Sequence, residues 1–594
     1  MTEPSDLANR LLSEAGLAAA TDEQKLYLKG FLSGVAAKTG AVPMASTGGM
    51  PGDIHRAAQD RFIAAGKKLA PEEEAKRQSH PLDMWDELRA GAAEGRFPKG
   101  NDIFRHKYFG LFYVAPAQNA FMCRLRMPNG ILSAHQMMGL ADLTDRWGGG
   151  FTDITTRANL QIREIQPPAI VELLEGIQDL GLSSRGSGAD NIRNVTSSPT
   201  AGIDRQELID TRPLGRELHH YILNHREMYG LPRKFNIAFD GGGLTAVLED
   251  TNDIGFAAVA VPAGTTVPEG IYFRMLLGGI SGHGDFARDT GIVLKPEECL
   301  GAAVAVLRVF IAEGDRTDRK RARLKYVLDA WGHEKFLAAV ETERGVPFTR
   351  LPLDACVPRG KQEKHGHIGV HPQRQPGLSY LGVAVPVGRL STAQMRGLAD
   401  IATRYGSGTI RLTVWQNLIL SDIPDDKVDA AQAAIAALGL SISASAIRGA
   451  LVACTGNTGC KFAATDTKGQ AMVLADHLER TVVLDQPVNI HLTGCPHSCA
   501  QHRIADIGLL GIKVGDDMIE GYSISVGGGA GADQRIGREI MPQVAMDDMP
   551  ARIEGLLQAY LAHRREAESF NDFAARHSVE ELQAFSAMDT EKAA

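Results

Sequence analysis

Along this chain, apolar positions follow a helical spacing and then a strand-like one, and the succession occurs twice. GILSAHQMMGLADLTDRWGGG, from Gly130, keeps a period of about 3.6 residues, ends at a glycine turn and runs into a β-rich stretch. GRLSTAQMRGLADIATRYGSG, from Gly388, does the same. Leu132 aligns with Leu390, Gly139 with Gly397, Arg146 with Arg404 and Asn159 with Asn417. After a small shift Asn236-Ile237 matches Asn489-Ile490, and Asp253-Ile254-Gly255 matches Asp506-Ile507-Gly508. The period is too long for a solenoid. It predicts two homologous halves, about 108–345 and 366–570, related by a pseudo-two-fold. Each would hold a small α+β module followed by a larger one, and the cleft between them suits a large cofactor. Ahead of the halves, Thr21-Asp22-Glu23-Gln24 reads as a capping box opening a helix through Val35, and 38–53 reads as a flexible connector.

Composition narrows the function. The chain has 594 residues, enough for several domains, with 44% hydrophobic and 23% charged residues. A net charge of -8 argues against a general nucleic-acid partner. No secretory signal and no long apolar run are visible, so a cytoplasmic protein without a membrane partner is expected. Seven cysteines, four of them clustered, favour metal binding in a reducing compartment over disulfides.

The four are Cys454 and Cys460 in a C-x5-C loop, and Cys495 and Cys499 in a C-x3-C loop. Soft thiolates on two Gly-rich turns suit an iron–sulfur cluster or zinc, and the wide first spacing counts against zinc. In the register of the repeat, Cys454 falls opposite Thr196, and Cys495 and Cys499 opposite Gly242 and Thr245. Only one half therefore carries the metal ligands. The other carries Arg193, Arg233, Lys234 and Asn236 nearby, the cation-rich wall that reduction of a small anion requires. Taken singly, an arginine on a strand is more often a surface ion-pair member than a ligand contact.

GCPHSCAQHRIADIG at 494–508 and CTGNTGC at 454–460 resemble the signature of the sirohaem-containing nitrite and sulfite reductases. FMCRLRMPNG at 121–130, DITTRANLQIRE at 153–164, GADNIRNV at 188–195 and LPRKFNIAF at 231–239 are similar to that family's other blocks, in order. The resemblance implies an α+β fold of duplicated pseudo-two-fold halves, each a ferredoxin-like module plus a larger mixed α/β module that binds sirohaem. The expected layout is an N-terminal extension with linker (1–100), a first ferredoxin-like module (101–186) and a sirohaem- and substrate-binding half (187–365). A second ferredoxin-like module (366–442), a cluster-binding half (443–570) and a tail (571–594) complete it. By resemblance the four cysteines hold a [4Fe–4S] cluster, and Cys499 also ligates the sirohaem iron. Arg124, Arg193 and Lys234 match anion-binding positions. Arg157, Gln161, Arg163 and Arg233 match positions around the macrocycle, whose carboxylates need cations to be buried. The basic run at 316–325 reads either as further carboxylate partners or as a solvated basic helix. His497 departs from the family, where Asn is commoner.

Lys234-Phe235-Asn236 resembles the nitrite-reducing members, whereas sulfite reducers have Lys at the third place. An amide in place of an ammonium fits a monoanion better than a dianion. The expected activity is therefore reduction of nitrite to ammonia, with sulfite reduction as the alternative. No G-x-G-x-x-G dinucleotide motif is evident, so electrons would come from a separate protein, by resemblance a ferredoxin. A structural zinc protein and an iron–sulfur nucleic-acid enzyme remain competing classes.

Overall fold

The computed structural model describes residues 54–363, 366–443, 445 and 447–587; the helix expected at 21–35 and the connector at 38–53 lie outside them. The first half contains β1 (Leu111–Tyr113), β2 (Phe121–Arg124), β3 (Ile131–Ser133), β4 (Phe151–Ile154) and β5 (Leu160–Ile165). It continues with β6 (Ile192–Ser197), β7 (Phe235–Asp240), β8 (Ile254–Val261), β9 (Gly270–Leu277) and β10 (Arg288–Leu294). The second half repeats the pattern. It has β11 (Gly369–Pro372), β12 (Leu378–Val383), β13 (Arg389–Ser391), β14 (Thr409–Leu412) and β15 (Leu418–Pro424). Then come β16 (Leu451–Ala453), β17 (Ile490–Thr493), β18 (Ile507–Val514), β19 (Ile519–Val526) and β20 (Arg538–Ala545).

The two large sheets run β10-β9-β8-β7-β6 and β20-β19-β18-β17-β16, each with three parallel strands followed by an antiparallel meander. Even single hydrogen bonds recur: Asn236 N donates to Asp253 Oδ2 at 2.8 Å, and Asn489 N to Asp506 Oδ2 at 2.7 Å. The pairing corrects the sequence alignment at two places. Val195 faces Ile237 as Leu451 faces Ile490, which sets Cys454 against Ser198 rather than Thr196. From Leu180 to Val195 the chain advances 15 positions, but from the matching Leu438 to Leu451 only 13, so the earlier register does not carry through. Ile237 pairs with Ile254 as Ile490 pairs with Ile507, so Cys495 stays opposite Gly242, but Cys499 falls against Ala246, not Thr245.

The small sheets exchange strands. Their orders are β1-β2-β5-β4-β13 and β11-β12-β15-β14-β3, so each half completes the other's sheet. Helices Ala134–Trp147 and Thr392–Tyr405 pack together, and one apolar core runs through both modules. Both helices open on capping boxes, Ser133 with Gln136 and Ser391 with Gln394. In both, a glycine permits close helix packing: a Cβ at Gly139 or Gly397 would stand 2.4 Å from a methyl of Leu180 or Leu438.

Of the segments expected as extension and tail, the described residues, from Ile54 and up to Ala587, join the body. Helices Ile54–Ala64 and Pro71–Gln78 lie against the first half, and the former packs on helix Cys299–Glu313. Helices Phe570–Arg576 and Val579–Ser586 bury Phe573, Ala574 and Leu582 in the core of the second large module.

Candidate active site

The thiols stand where the parallel strands of the second large sheet end. Cys454 follows β16 directly, and Cys495 and Cys499 follow β17. In the first half the cations stand at strand beginnings. Phe235, Ile237 and Phe239 of β7 enter the core, so by the strand's alternation Lys234 and Asn236 share the opposite face. A register irregularity between Ile192 and Val195 lets both enter that core and leaves Arg193 outside it.

Each of the four cysteines is a free thiol. Cys495 is pushed up to about 12 by burial, with Cys499, Cys460 and Cys454 adding to the shift. Cys499 is raised by loss of hydration and by Cys454, while Lys234 and Arg124 oppose the shift. It is nonetheless exposed, which places it on the wall of a recess. Gly494 N donates to Cys454 Sγ at 3.2 Å, and His497 Nδ1 lies 3.4 Å from Cys495 Sγ. Among the described residues no three His, Cys, Asp or Glu side chains converge on a point that one ion would fill. The Cys499, Cys460 and Cys454 thiols all act on Cys495, so the four lie within electrostatic reach of one another, and soft thiolates in this number suit an iron–sulfur cluster.

Four cations of the first half lack a carboxylate in contact, and two of them, Lys234 and Arg124, act on the Cys499 thiol. Lys234 and Arg124 make no side-chain hydrogen bond or ion pair among the described residues; Arg124 stacks 4.6 Å over Phe112. Arg193 donates only to the carbonyls of Ser187 and Ala189, and Arg157 to Asn252. Burial, with Arg323 beside it, lowers Lys234 to about 7, and Cys499 pulls the other way. Burial also lowers Arg124 and Arg157, each to about 10. Asn236 Oδ1 is buried without a partner, as is Arg163 Nη1. Buried cations and orphaned polar atoms of this kind fit a polyanionic group and a small anion.

Arg163 and Arg233 also hold protein partners. Arg163 is 3% exposed and donates to Asp153 at 2.7 Å, Gln161 at 2.6 Å and Thr455 of the first cysteine loop at 2.5 Å. Asp153 also takes Arg389 at 3.0 Å and Lys468 at 3.6 Å. Arg233 leans toward Asp190 at 3.8 Å. The basic run at 316–325 is not the solvated helix of one reading: it is turn and bend up to Arg323, and three of its cations hold carboxylates. Arg316 is buried on Glu73, Arg319 chelates Asp190, and Arg323 binds Asp253 at 2.7 Å. Sequence reasoning missed Asp153, Asn252 and Thr156, whose hydroxyl donates to the Cys499 carbonyl at 3.0 Å. Beside the cysteine loops, Phe462 is 59% exposed, meets His497 edge-on at 5.1 Å and carries Lys461 5.4 Å above its ring.

Comparison with known proteins agrees with this architecture. The family model described as the nitrite and sulphite reductase 4Fe-4S domain matches residues 188–348 and 444–592. The nitrite/sulfite reductase ferredoxin-like half domain matches 115–180 and 371–438. A ferredoxin–nitrite reductase of Synechococcus elongatus is 38% identical, with 83% of this chain aligned to 97% of the relative. The chloroplastic ferredoxin–nitrite reductase of Zea mays is 34% identical over 84% of this chain and 91% of its own. The solved structure of the Mycobacterium tuberculosis NirA protein superposes with a TM-score of 0.81 at 29% identity, covering 88% of this chain and 98% of that one. Duplicated sheets, a single set of four thiols and a facing wall of cations have one family in common with these matches, and the chain belongs to the nitrite and sulphite reductases.

Proposed function

We propose that this protein reduces nitrite to ammonia, a six-electron, proton-consuming reaction, with electrons from a ferredoxin-type partner. The observation that carries the reading is the position of Cys499: its thiol is within electrostatic reach of Cys454 and Cys460 on one side and of Lys234 and Arg124 on the other. Cys454, Cys460, Cys495 and Cys499 would hold a [4Fe–4S] cluster, and Cys499 would also serve the sirohaem. When bound, the pair would supply the electrons for reduction of the anion. Arg157, Gln161, Arg163 and Arg233 answer the macrocycle's carboxylates, Gln161 and Arg163 as one hydrogen-bonded unit. Arg124, Arg193 and Lys234 hold nitrite and polarise its N–O bonds, in a recess where charges act strongly. The Lys234 ammonium can pass a proton to a departing oxygen and regain it from solvent. Asn236 adds an amide and no charge, which favours a monoanion.

The relatives named ferredoxin–nitrite reductase support both the substrate and the donor. The donor docks where Lys461, Phe462 and His497 border the cluster loops, since an acidic partner needs a local cation on a net acidic chain. Among the described residues no helix is long and apolar enough to cross a membrane, and the seven free thiols accord with the cytoplasm. The test is parallel reduction of nitrite and sulfite with one artificial low-potential donor. Preference for nitrite by kcat/KM is expected. Preference for sulfite moves the assignment to sulfite reduction on this scaffold, and stoichiometric zinc without a visible absorption band refutes both.

A further inference from the structure

We propose that the N-terminal helix Pro71–Gln78, which lies ahead of every family-matched residue, is a positioning element for Lys234 and Arg193. This rests on the reading of those two as anion-binding groups. Glu73 and Lys76 are each 1% exposed, and burying such ions is tolerated only where their donors and acceptors are satisfied. Glu73 accepts from Arg316 at 2.6 Å and from Gln59 at 2.8 Å, and Lys76 bonds to it as well. Two of the donors also grip backbone. Lys76 Nζ donates to the Leu231 carbonyl at 2.9 Å, and Arg316 Nη2 to the Gly230 carbonyl at 2.9 Å. These are the carbonyls just ahead of Pro232-Arg233-Lys234.

The same network reaches the other segment. Lys76 lies 3.5 Å from Asp190, which Arg319 chelates with two contacts of 2.8 Å. Asp190 sits in the turn onto which Arg193 folds back, donating to the Ala189 carbonyl at 2.9 Å. One buried ion network therefore pins the two backbone segments that deliver Lys234 and Arg193. Apolar packing would bury the helix equally well. Charged groups aimed at particular carbonyls fix position, which packing alone does not.

The experiment compares holoenzyme of the parent, Lys76→Met and Lys76→Arg by amide hydrogen exchange and by kinetics with an artificial donor. Lys76→Met is expected to speed exchange across residues 230–237 and raise KM for nitrite about fivefold, with the visible spectrum unchanged. Lys76→Arg is expected to recover most of both. Folded Lys76→Met protein with parental exchange there and parental KM, whatever its stability, overturns the proposal. Should Lys76→Met yield no holoenzyme, Glu72→Gln removes only the half-exposed contact to Arg319 at 3.0 Å. Its KM should then rise about twofold, and an unchanged KM overturns the proposal. A parent that does not turn over nitrite refutes the functional reading instead, and the exchange comparison still judges the clamp.

Discussion

Asp153→Asn isolates the ion hub that ties the first half to the cysteine loop. The side chain of Asp153 is 4% exposed, and those of its partners Arg163 and Lys468 are 3% and 7% exposed, whereas Arg389 is 41% exposed. The amide keeps the shape and removes the charge, leaving two buried cations uncompensated. Breaking a buried pair in this way costs about 3–5 kcal/mol. The exposed Arg389 contact adds at most about 1 kcal/mol. Urea unfolding at pH 7 should show a lower midpoint with little change in slope. Arg163, released from Asp153, should hold Thr455 less firmly, so iron should also be lost faster to a chelator. Acid supplies an independent check. Burial pushes the Asp153 carboxyl up, but Lys468, Arg163 and Arg389 outweigh it and hold it well below the usual range. Its stabilisation is therefore complete above about pH 4 and fades as pH falls toward the folded-state value. The variant should lack that component of the acid response. A loss under about 1 kcal/mol, or identical acid profiles, would refute the hub.

Cys499→Ser should lose the sirohaem spectrum along with the cluster, while Cys454→Ser should damage mainly the cluster; an unaltered spectrum in Cys499→Ser would break the bridging assignment. Arg193→Ala and Lys234→Ala should each lower kcat/KM for nitrite by roughly tenfold or more with cofactors retained, the worth of a charge-assisted contact of about 1.5–3 kcal/mol. Asn236→Lys should move the kcat/KM ratio toward sulfite, because a second ammonium beside Lys234 is better repaid by a dianion; movement toward nitrite would contradict the charge argument. Lys461→Glu should raise KM for a ferredoxin and leave kinetics with a small artificial donor unchanged, and equal effects on both would move the docking site elsewhere.

The duplication and the four cysteines were legible because each leaves a local signal: a repeated pattern, and thiols at fixed short spacings. Partners distant in sequence were not. Arg163 shows in the sequence as one more arginine of a family block; that it binds Asp153 and reaches Thr455 depends on how two modules meet. The run at 316–325 shows its cations but not Glu73, Asp190 and Asp253, which come from three separate segments. The alignment slipped near Cys454 because an insertion in a connection leaves no mark until strand pairing fixes the register. Nor do Ile131-Leu132-Ser133 and Arg389-Leu390-Ser391 reveal that each joins the other copy's sheet, since three residues are too few to specify a partner.

That exchange sets an order of events during synthesis. When residue 186 has left the ribosome, the first small sheet still lacks β13, and β4 presents an open edge able to pair with other chains. Only after residue 391 is made can the sheet close, and β3 meanwhile waits for β14. A nascent chain of this protein thus passes through a long window in which a half-built module is exposed to misassembly. Severing it between the halves would leave two fragments, each with a gap shaped for the other's strand.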